Sequence, residues 1–349
     1  MNPWKITAII LALALVATLG VSVCHLMESE EEGVLIATTT SLHNTGLLRE
    51  IAGDYKEGTR VQLKFFPAGT GKALEMARKG GVDMVLVHSP IQEKGFLEND
   101  ILMMRKIFAY NFFVIVGPSN GPVDMMDKNA TEALMAIHNS GDNDPLWVSR
   151  GDNSGTHSKE KYLWEKAEYN YTQLYDACKD KWYVNASSGM QETLNYAYEK
   201  NCYTLTDTGT YYSWKSSGGE GFEILVKASE ELLNVYSAMI VNPGKHGINL
   251  EGALKFLRYL ISDDCQDTIG DYEKNEEKLF YPVAELLEDG QNGSLIGVAK
   301  VGFENEQIYN WITKYAYFKD EATGKITECP TQNRWPDISY RSEETISQK

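Results

Sequence analysis

Cysteine is scarce in this chain of 349 residues: there are five, none spaced as C-x-x-C, which removes the commonest zinc and redox frameworks. Basic charge is short as well. Lys and Arg number 33 against 49 Asp and Glu, a formal net charge of −16, and no basic run interrupts the acidic background, so a nucleic-acid surface is excluded. Internal repeats and low-complexity tracts are missing. Only one apolar run approaches the length of a membrane span, residues 6–23 (ITAIILALALVATLGVSV). With no second run and no cytoplasmic module, a sensor ectodomain that reports across a bilayer is disfavoured.

What is present is 43% hydrophobic residues and 20 tyrosines, enough for two packed lobes or one large α/β body. Residues 1–27, with Lys5 ahead of the apolar run, are expected to be a signal peptide or membrane anchor, which makes the protein exported and extracytoplasmic. Cys24 follows Val23 rather than the small residue a lipidation site favours. Residues 28–33, opening on the acidic run ESEEE, form a polar linker. Four cysteines remain, Cys178, Cys202, Cys265 and Cys329, an even number in an exported chain and therefore candidates for two disulfides. Of the three pairings, Cys178 with Cys202 and Cys265 with Cys329 keeps each bridge within one lobe. The sequons at Asn129, Asn170, Asn185 and Asn292 fit the same cell-surface setting.

Along the body, the run Val34 to Ala37 ends in Thr38-Thr39-Thr40-Ser41, and Leu47, Leu48, Ile51 and Tyr55 follow at helical spacing. This predicts strand, polar turn, helix. The same pattern repeats with a strand at residues 61–66, the turn Gly69-Thr70-Gly71, a helix carrying Ala73, Leu74, Met76 and Ala77, and a strand at 82–87. Alternation of this kind predicts a parallel sheet covered by helices. Two strongly strand-like runs, 112–118 and 235–241, each close on a Pro-containing turn. Between them lies a second α/β portion with strands at 146–148 and 203–205 and helices at 159–167 and 190–200. The expected organisation is a first lobe of residues 34–116 plus 242–300, a second lobe of 117–241 inserted into it, and a C-terminal extension, 301–349. Two-lobed receptors that close on a ligand have this plan.

Three turns rich in hydroxyls and glycine follow strands: residues 38–41, 69–71 and 149–156. Ends of parallel strands are where helix N-termini present free N–H groups, and these attract anions. Ser and Thr add donors without charge, although they are also ordinary caps. Arg150 brings a permanent charge and a planar fork suited to an oxygen-rich anion; the bland alternative is a surface pair with Asp152. Because the whole chain is acidic, an anion site must rest on local dipoles plus Arg150. Other chemistry fits worse. Asp152 breaks a G-x-S-x-G elbow, Phe66 breaks a P-loop, and the triplet Arg150-Gly151-Asp152 lacks any adhesion context. Ser154 and His157 suggest a surface hydrolase of phosphate or acyl esters, but no orienting acid is indicated, so His157 is read as supporting the helix start.

The motifs ATTTS (37–41), GTGKALE (69–75), VDMVLVHSP (82–90), FFVIVGP (112–118), SRGDNSGTHSKE (149–160) and TLTDTGTY (204–211) together resemble the tungstate-binding components of ABC uptake transporters. The resemblance implies a type II periplasmic-binding-protein fold, α/β, two lobes with mixed, mostly parallel sheets and an interlobe cleft. It implies no catalysis and no cofactor, a ligand that is tungstate or molybdate, and a membrane permease and its ATPase as partners; the leader, unusual for a plain periplasmic protein, points to a membrane-tethered receptor, expected to be a monomer. Carried over residue by residue, it points to Thr40 and Ser41 in the first turn, Thr70 in the second, and Arg150 and Thr156 in the third. Ser149, Ser154 and Gly155 share the last loop, and Thr39 stands beside Thr40. At Thr208, where the family often has a basic residue, the correspondence lapses.

Overall fold

The computed structural model describes residues 33–283 except 126, 141–145, 180 and 220, together with two short strands at Phe318–Lys319 and Ile326–Thr327. The leader at 1–27 with Cys24, most of the linker, the sequon at Asn292, Cys329 and the rest of the extension lie outside the described residues.

The chain opens with β1 (Val34–Thr39), α1 (Thr40–Thr45), α2 (Leu47–Thr59), β2 (Leu63–Ala68), α3 (Thr70–Arg78), β3 (Met84–Val87), α4 (Pro90–Glu98) and the long β4 (Leu102–Pro118). The second portion contains α5 (Ala130–Ser140), β5 (Trp147–Ser149), α6 (Gly155–Lys166), α7 (Tyr171–Cys178), β6 (Tyr183–Asn185), α8 (Met190–Lys200), β7 (Tyr203–Asp207), α9 (Thr208–Lys215) and β8 (Phe222–Val226). The return is made by β9 (Leu233–Val241), α10 (Leu250–Leu260), α11 (Asp263–Asp271) and the short strands β10 (Glu273–Lys274), β11 (Glu277–Lys278) and β12 (Tyr281–Pro282).

Strand order is β2-β1-β3-β9-β4-β7-β5-β6, so β4 is shared by two lobes. Its first part, Leu102 to Phe112, runs antiparallel to β9, and from Phe113 it pairs with β7 instead. The outer pairs β1–β2, β1–β3, β5–β6 and β5–β7 are parallel, as short helical crossovers require. The inner strands β3 and β9 are buried on both faces, which is why they are largely apolar rather than alternating, whereas the edge strand β2 is only partly covered. In the first lobe Ile36, Leu86 and Ile240 face Ile51, Tyr55, Phe256 and Leu260, while Ala37, Val85 and Met239 face Ala73, Leu74 and Ala77. In the second, Phe113 and Ile115 pack on Leu134 and Trp164, and Val114 and Val116 on Leu194 and Trp214.

The expectations need three corrections. Residues 235–241 were placed in the second lobe, but β9 pairs with β3 from Met84↔Ile240 to Val87↔Ser237 and belongs to the first lobe's sheet. A strand buried on both faces reads alike in either sheet, and its neighbour is set by non-local pairing. The helix expected from residue 159 begins at Gly155, capped by Ser154. The Cys178–Cys202 bridge does not form: Cys178, Cys202 and Cys265 are buried thiols outside any disulfide. Cys178 packs with Trp182 on one face of the second sheet and Cys202 with Leu194 on the other, so the sheet stands between them. The partner proposed for Cys265, Cys329, is among the residues not described. Among the described residues no helix is long and apolar enough to cross a membrane.

Candidate functional site

The first hydroxyl run is a strand–helix junction, not a turn. Thr39 ends β1 in extended conformation and its Oγ1 accepts from the Leu42 amide at 3.3 Å and from Ser41 Oγ at 3.3 Å, capping α1. Thr40 and Ser41 thus occupy the first helical turn, where backbone N–H groups have no intrahelical acceptor. Thr70 opens α3 behind Gly69, and no side chain caps that helix. The N-termini of α1 and α3 both lie at the ends of parallel strands of one sheet.

The third loop comes from the other lobe. Gly151 has φ +60, and an added Cβ would collide with the Asn185 amide, so glycine is required on two grounds. Asn153 is left-handed too, at φ 58, which an asparagine tolerates. The chain then enters α6 through Ser154, whose Oγ accepts from the His157 amide at 3.2 Å. Thr156 follows within the first turn.

Arg150, only 2% exposed, reaches Asp152 Oδ2 with Nη2 at 2.6 Å and Thr156 Oγ1 with Nη1 at 3.4 Å. The pair with Asp152 therefore forms, with the arginine enclosed and the carboxylate half-buried. Among the described residues Nε of Arg150 is buried without a partner, and a buried donor left unpaired costs about 1–3 kcal/mol.

The two lobes meet here. The Gly155 amide donates to Thr70 Oγ1 at 3.2 Å, and Gln92 on α4 donates to Asn153 O at 3.2 Å and Ser158 Oγ at 2.6 Å. A Cβ at Gly155 would lie 3.0 Å from the His88 ring, and His88 Nε2 is 3.5 Å from Ser41 Oγ. The hydroxyls of the first lobe and the helix start of the second are thereby brought to one place. Ser149 is turned away, its Oγ donating to Glu160 at 2.6 Å and accepting from the Gly151 amide at 3.1 Å.

His88, Gln92 and Asn234 were not singled out in the sequence. His88 is fully buried, stacked on Tyr236 with ring centroids 4.9 Å apart. Asn234 spends its NH2 group on Asn111 Oδ1 (2.8 Å) and Tyr236 Oη (3.0 Å), so its Oδ1 accepts from His88 Nδ1 at 2.9 Å and Nε2 is the bare nitrogen. Burial lowers the His88 pKa against the pull of Asp207. Asn111 in turn donates to Asp207 Oδ1 at 3.1 Å. A buried polar chain therefore runs from Ser41 across both crossing strands. Asp207 is committed to it and to Thr210, whose amide and hydroxyl donate to the carboxylate at 2.9 and 2.6 Å. The signal for this chain was the lone polar residues Asn111 and Asn234 flanking apolar strands.

A cavity of about 170 Å3 between the lobes is lined by His88, Pro90, Phe113, Gly155, Lys159 and Asn234, among others. Lys159 is half-buried, donates to the carbonyls of Glu231 (2.9 Å) and Leu233 (3.3 Å), and desolvation pushes its ammonium down to about 8. The hydrolase reading fails on geometry. Ser154 Oγ is a helix cap, and His157 has Nδ1 on the Asn153 amide (3.0 Å) and Nε2 on Tyr171 Oη (2.9 Å), leaving no ring nitrogen to serve as a base.

Residues 27–264 match the PBP superfamily domain. The chain is 36% identical over 254 residues to the tungstate-binding protein TupA of Peptoclostridium acidaminophilum, covering 72% of this chain and 86% of that protein. It is 32% identical over 302 residues to a putative ABC transporter anion-binding protein of Haloferax volcanii, covering 82% and 85%. Among solved structures, TupA from Desulfovibrio alaskensis shares 39% identity over 72% of this chain and 98% of its own, with a TM-score of 0.61. The tungstate ABC transporter structure from Geobacter sulfurreducens shares 36% identity over 70% and 100%, with a TM-score of 0.62. Family match, identity and the two-lobed topology agree, and the chain belongs to the type II periplasmic-binding-protein family, among the tungstate-binding components of ABC transporters.

Proposed function

We propose that this chain captures tungstate, or its near twin molybdate, between its lobes and presents it to an ABC permease and its ATPase. The observation that carries this reading is the enclosed Arg150, which keeps one donor unspent and stands one hydrogen bond from the Thr156 hydroxyl, beside the Gly155–Thr70 contact between the lobes. Arg150 supplies the charge. Thr40, Ser41, Thr70 and Thr156 supply neutral donors, the Thr70 hydroxyl while it accepts from the Gly155 amide, and hydrogen bonds to a charged oxygen contribute about 1.5–3 kcal/mol each. Thr39 and Ser154 act as caps that set these donors in place, and Ser149 fixes the loop from behind. No cofactor is needed.

Dry, pre-arranged donors allow tight binding despite the repulsive net charge of −16. Sulfate is rejected by size, since a smaller tetrahedron cannot reach donors on both lobes at once. The apolar leader tethers a monomeric receptor to the outer face of the membrane, beside its permease.

Calorimetric titration of the full chain with tungstate, molybdate, sulfate and phosphate tests the reading. Tight binding of the first two and weak or no binding of the others is expected. A chain that binds none of them overturns it.

A further inference from the structure

The loop that carries Arg150 is poorly suited to hold itself. It contains two left-handed residues, Gly151 and Asn153, within five positions, and it must present a guanidinium to within a few tenths of an ångström for its donors to converge. Its backbone is instead gripped from inside the second lobe at two points. At the near end, the Gly151 amide donates to Ser149 Oγ (3.1 Å), which donates to Glu160 Oε2 (2.6 Å). At the far end, the Asn153 amide donates to His157 Nδ1 (3.0 Å).

These grips are joined. His157 Nε2 lies 2.9 Å from Tyr171 Oη, Tyr171 Oη lies 3.0 Å from Tyr183 Oη, and Tyr183 Oη donates to Glu160 Oε1 at 2.5 Å. The direction of every bond follows from its ends. A backbone amide only donates, so Nδ1 is bare and Nε2 carries the proton. A carboxylate only accepts, so Tyr183 gives its proton to Glu160 and takes one from Tyr171, which takes one from His157. Trp147 Nε1 completes the second lone pair of Oε1 at 2.8 Å. The result is a closed hydrogen-bonded ring, Gly151–Ser149–Glu160–Tyr183–Tyr171–His157–Asn153, and Arg150 sits on the backbone between two of its members, Ser149 and Gly151.

We propose that Glu160, Tyr183, Tyr171 and His157 are positioning residues for the anion site: none touches the ligand, and together they fix the arginine loop in its binding conformation. The inference rests on the reading of Arg150 as an anion ligand. Glu160 and Tyr183 are buried among Trp147 and Trp164, anchored to the core of the lobe. Tyr171 is the least embedded link, and its hydroxyl can be deleted without emptying the core.

The test compares the full-length wild type with Tyr171→Phe, His157→Ala, His157→Asn and Arg150→Ala, by tungstate titration, melting temperature and 15N shifts of labelled histidine. The wild type should show His157 protonated on Nε2 and bare on Nδ1. Tyr171→Phe and His157→Ala should weaken tungstate binding by about tenfold, the worth of one hydrogen bond in the ring. His157→Asn, whose side-chain oxygen can accept the Asn153 amide, should recover part of the loss seen in His157→Ala, which a merely space-filling role would not produce. A wild type that binds, loses binding in Arg150→Ala and is unmoved by Tyr171→Phe overturns the inference alone, as does a His157 protonated on Nδ1. A wild type that binds no tungstate overturns the functional reading and this inference with it.

Discussion

The amide of Gly155, at the start of a helix in one lobe, donates to the hydroxyl of Thr70, at the start of a helix in the other, across 3.2 Å. Two helix N-termini thus face each other through one hydroxyl. Thr70→Val keeps the shape and removes the acceptor that ties them. Affinity for tungstate should fall by roughly ten- to a hundredfold, the range for losing a hydrogen bond to a charged group. The variant without tungstate should lose up to about 1–3 kcal/mol of stability, the cost of leaving the buried Gly155 amide unpaired. Calorimetry and thermal melts on the same samples decide.

Arg150→Ala should abolish tight binding. It also strands Asp152, whose carboxylate then keeps only the Ser154 amide at 3.1 Å, so a loss of about 1–3 kcal/mol in stability is expected. Adding Asp152→Asn should return most of that stability and none of the binding. Recovery of binding in the double variant would show the arginine to be structural.

Gln92→Ala removes two bonds between α4 and the second lobe. These form only when the lobes are together, so the variant should release tungstate about three- to tenfold faster, the cost of one ordinary hydrogen bond, with association unchanged. Stopped-flow tryptophan fluorescence separates the two rates.

Burial pushes the His157 imidazole down to about 4 from an ordinary 6.5, against the raising effect of Asp152. Between those values the unfolded chain binds more protons than the folded one, so stability rises with pH through this window and is lost as pH falls toward 4. His157→Asn should flatten the dependence of melting temperature on pH between 6.5 and 4. Tungstate affinity of the wild type should drop as pH falls through about 4, where Nδ1 gains a proton and can no longer accept from Asn153.

Much of this was legible because the site is built at strand ends. The periodicity of residues 34–55 and 61–77 located two helix starts, and Arg150 stood out as a cation after a strand. Local signals also misled: Thr38 to Ser41 reads as a turn, yet Thr39 closes the strand and Thr40 opens the helix directly. What escaped was non-local. His88 acquires its meaning from Asn234, 146 positions away, and Tyr171 and Tyr183 are ordinary tyrosines until Tyr183 is seen to join Tyr171 to Glu160. Nor can spacing tell that Cys178 and Cys202 sit on opposite faces of one sheet.

The position of β9 between β3 and β4 has a bearing on the order in which the protein is built. The second lobe is drawn from one unbroken stretch of chain, about residues 113 to 232, and can condense as soon as that stretch emerges. The first lobe cannot, since its sheet lacks an inner strand until residues 233–241 arrive. Until then β3 and β4 each present a bare edge, the kind of surface on which other chains nucleate. Nascent first-lobe segments therefore have most need of a holdase, and truncation before Leu233 should yield aggregates rather than a half-receptor.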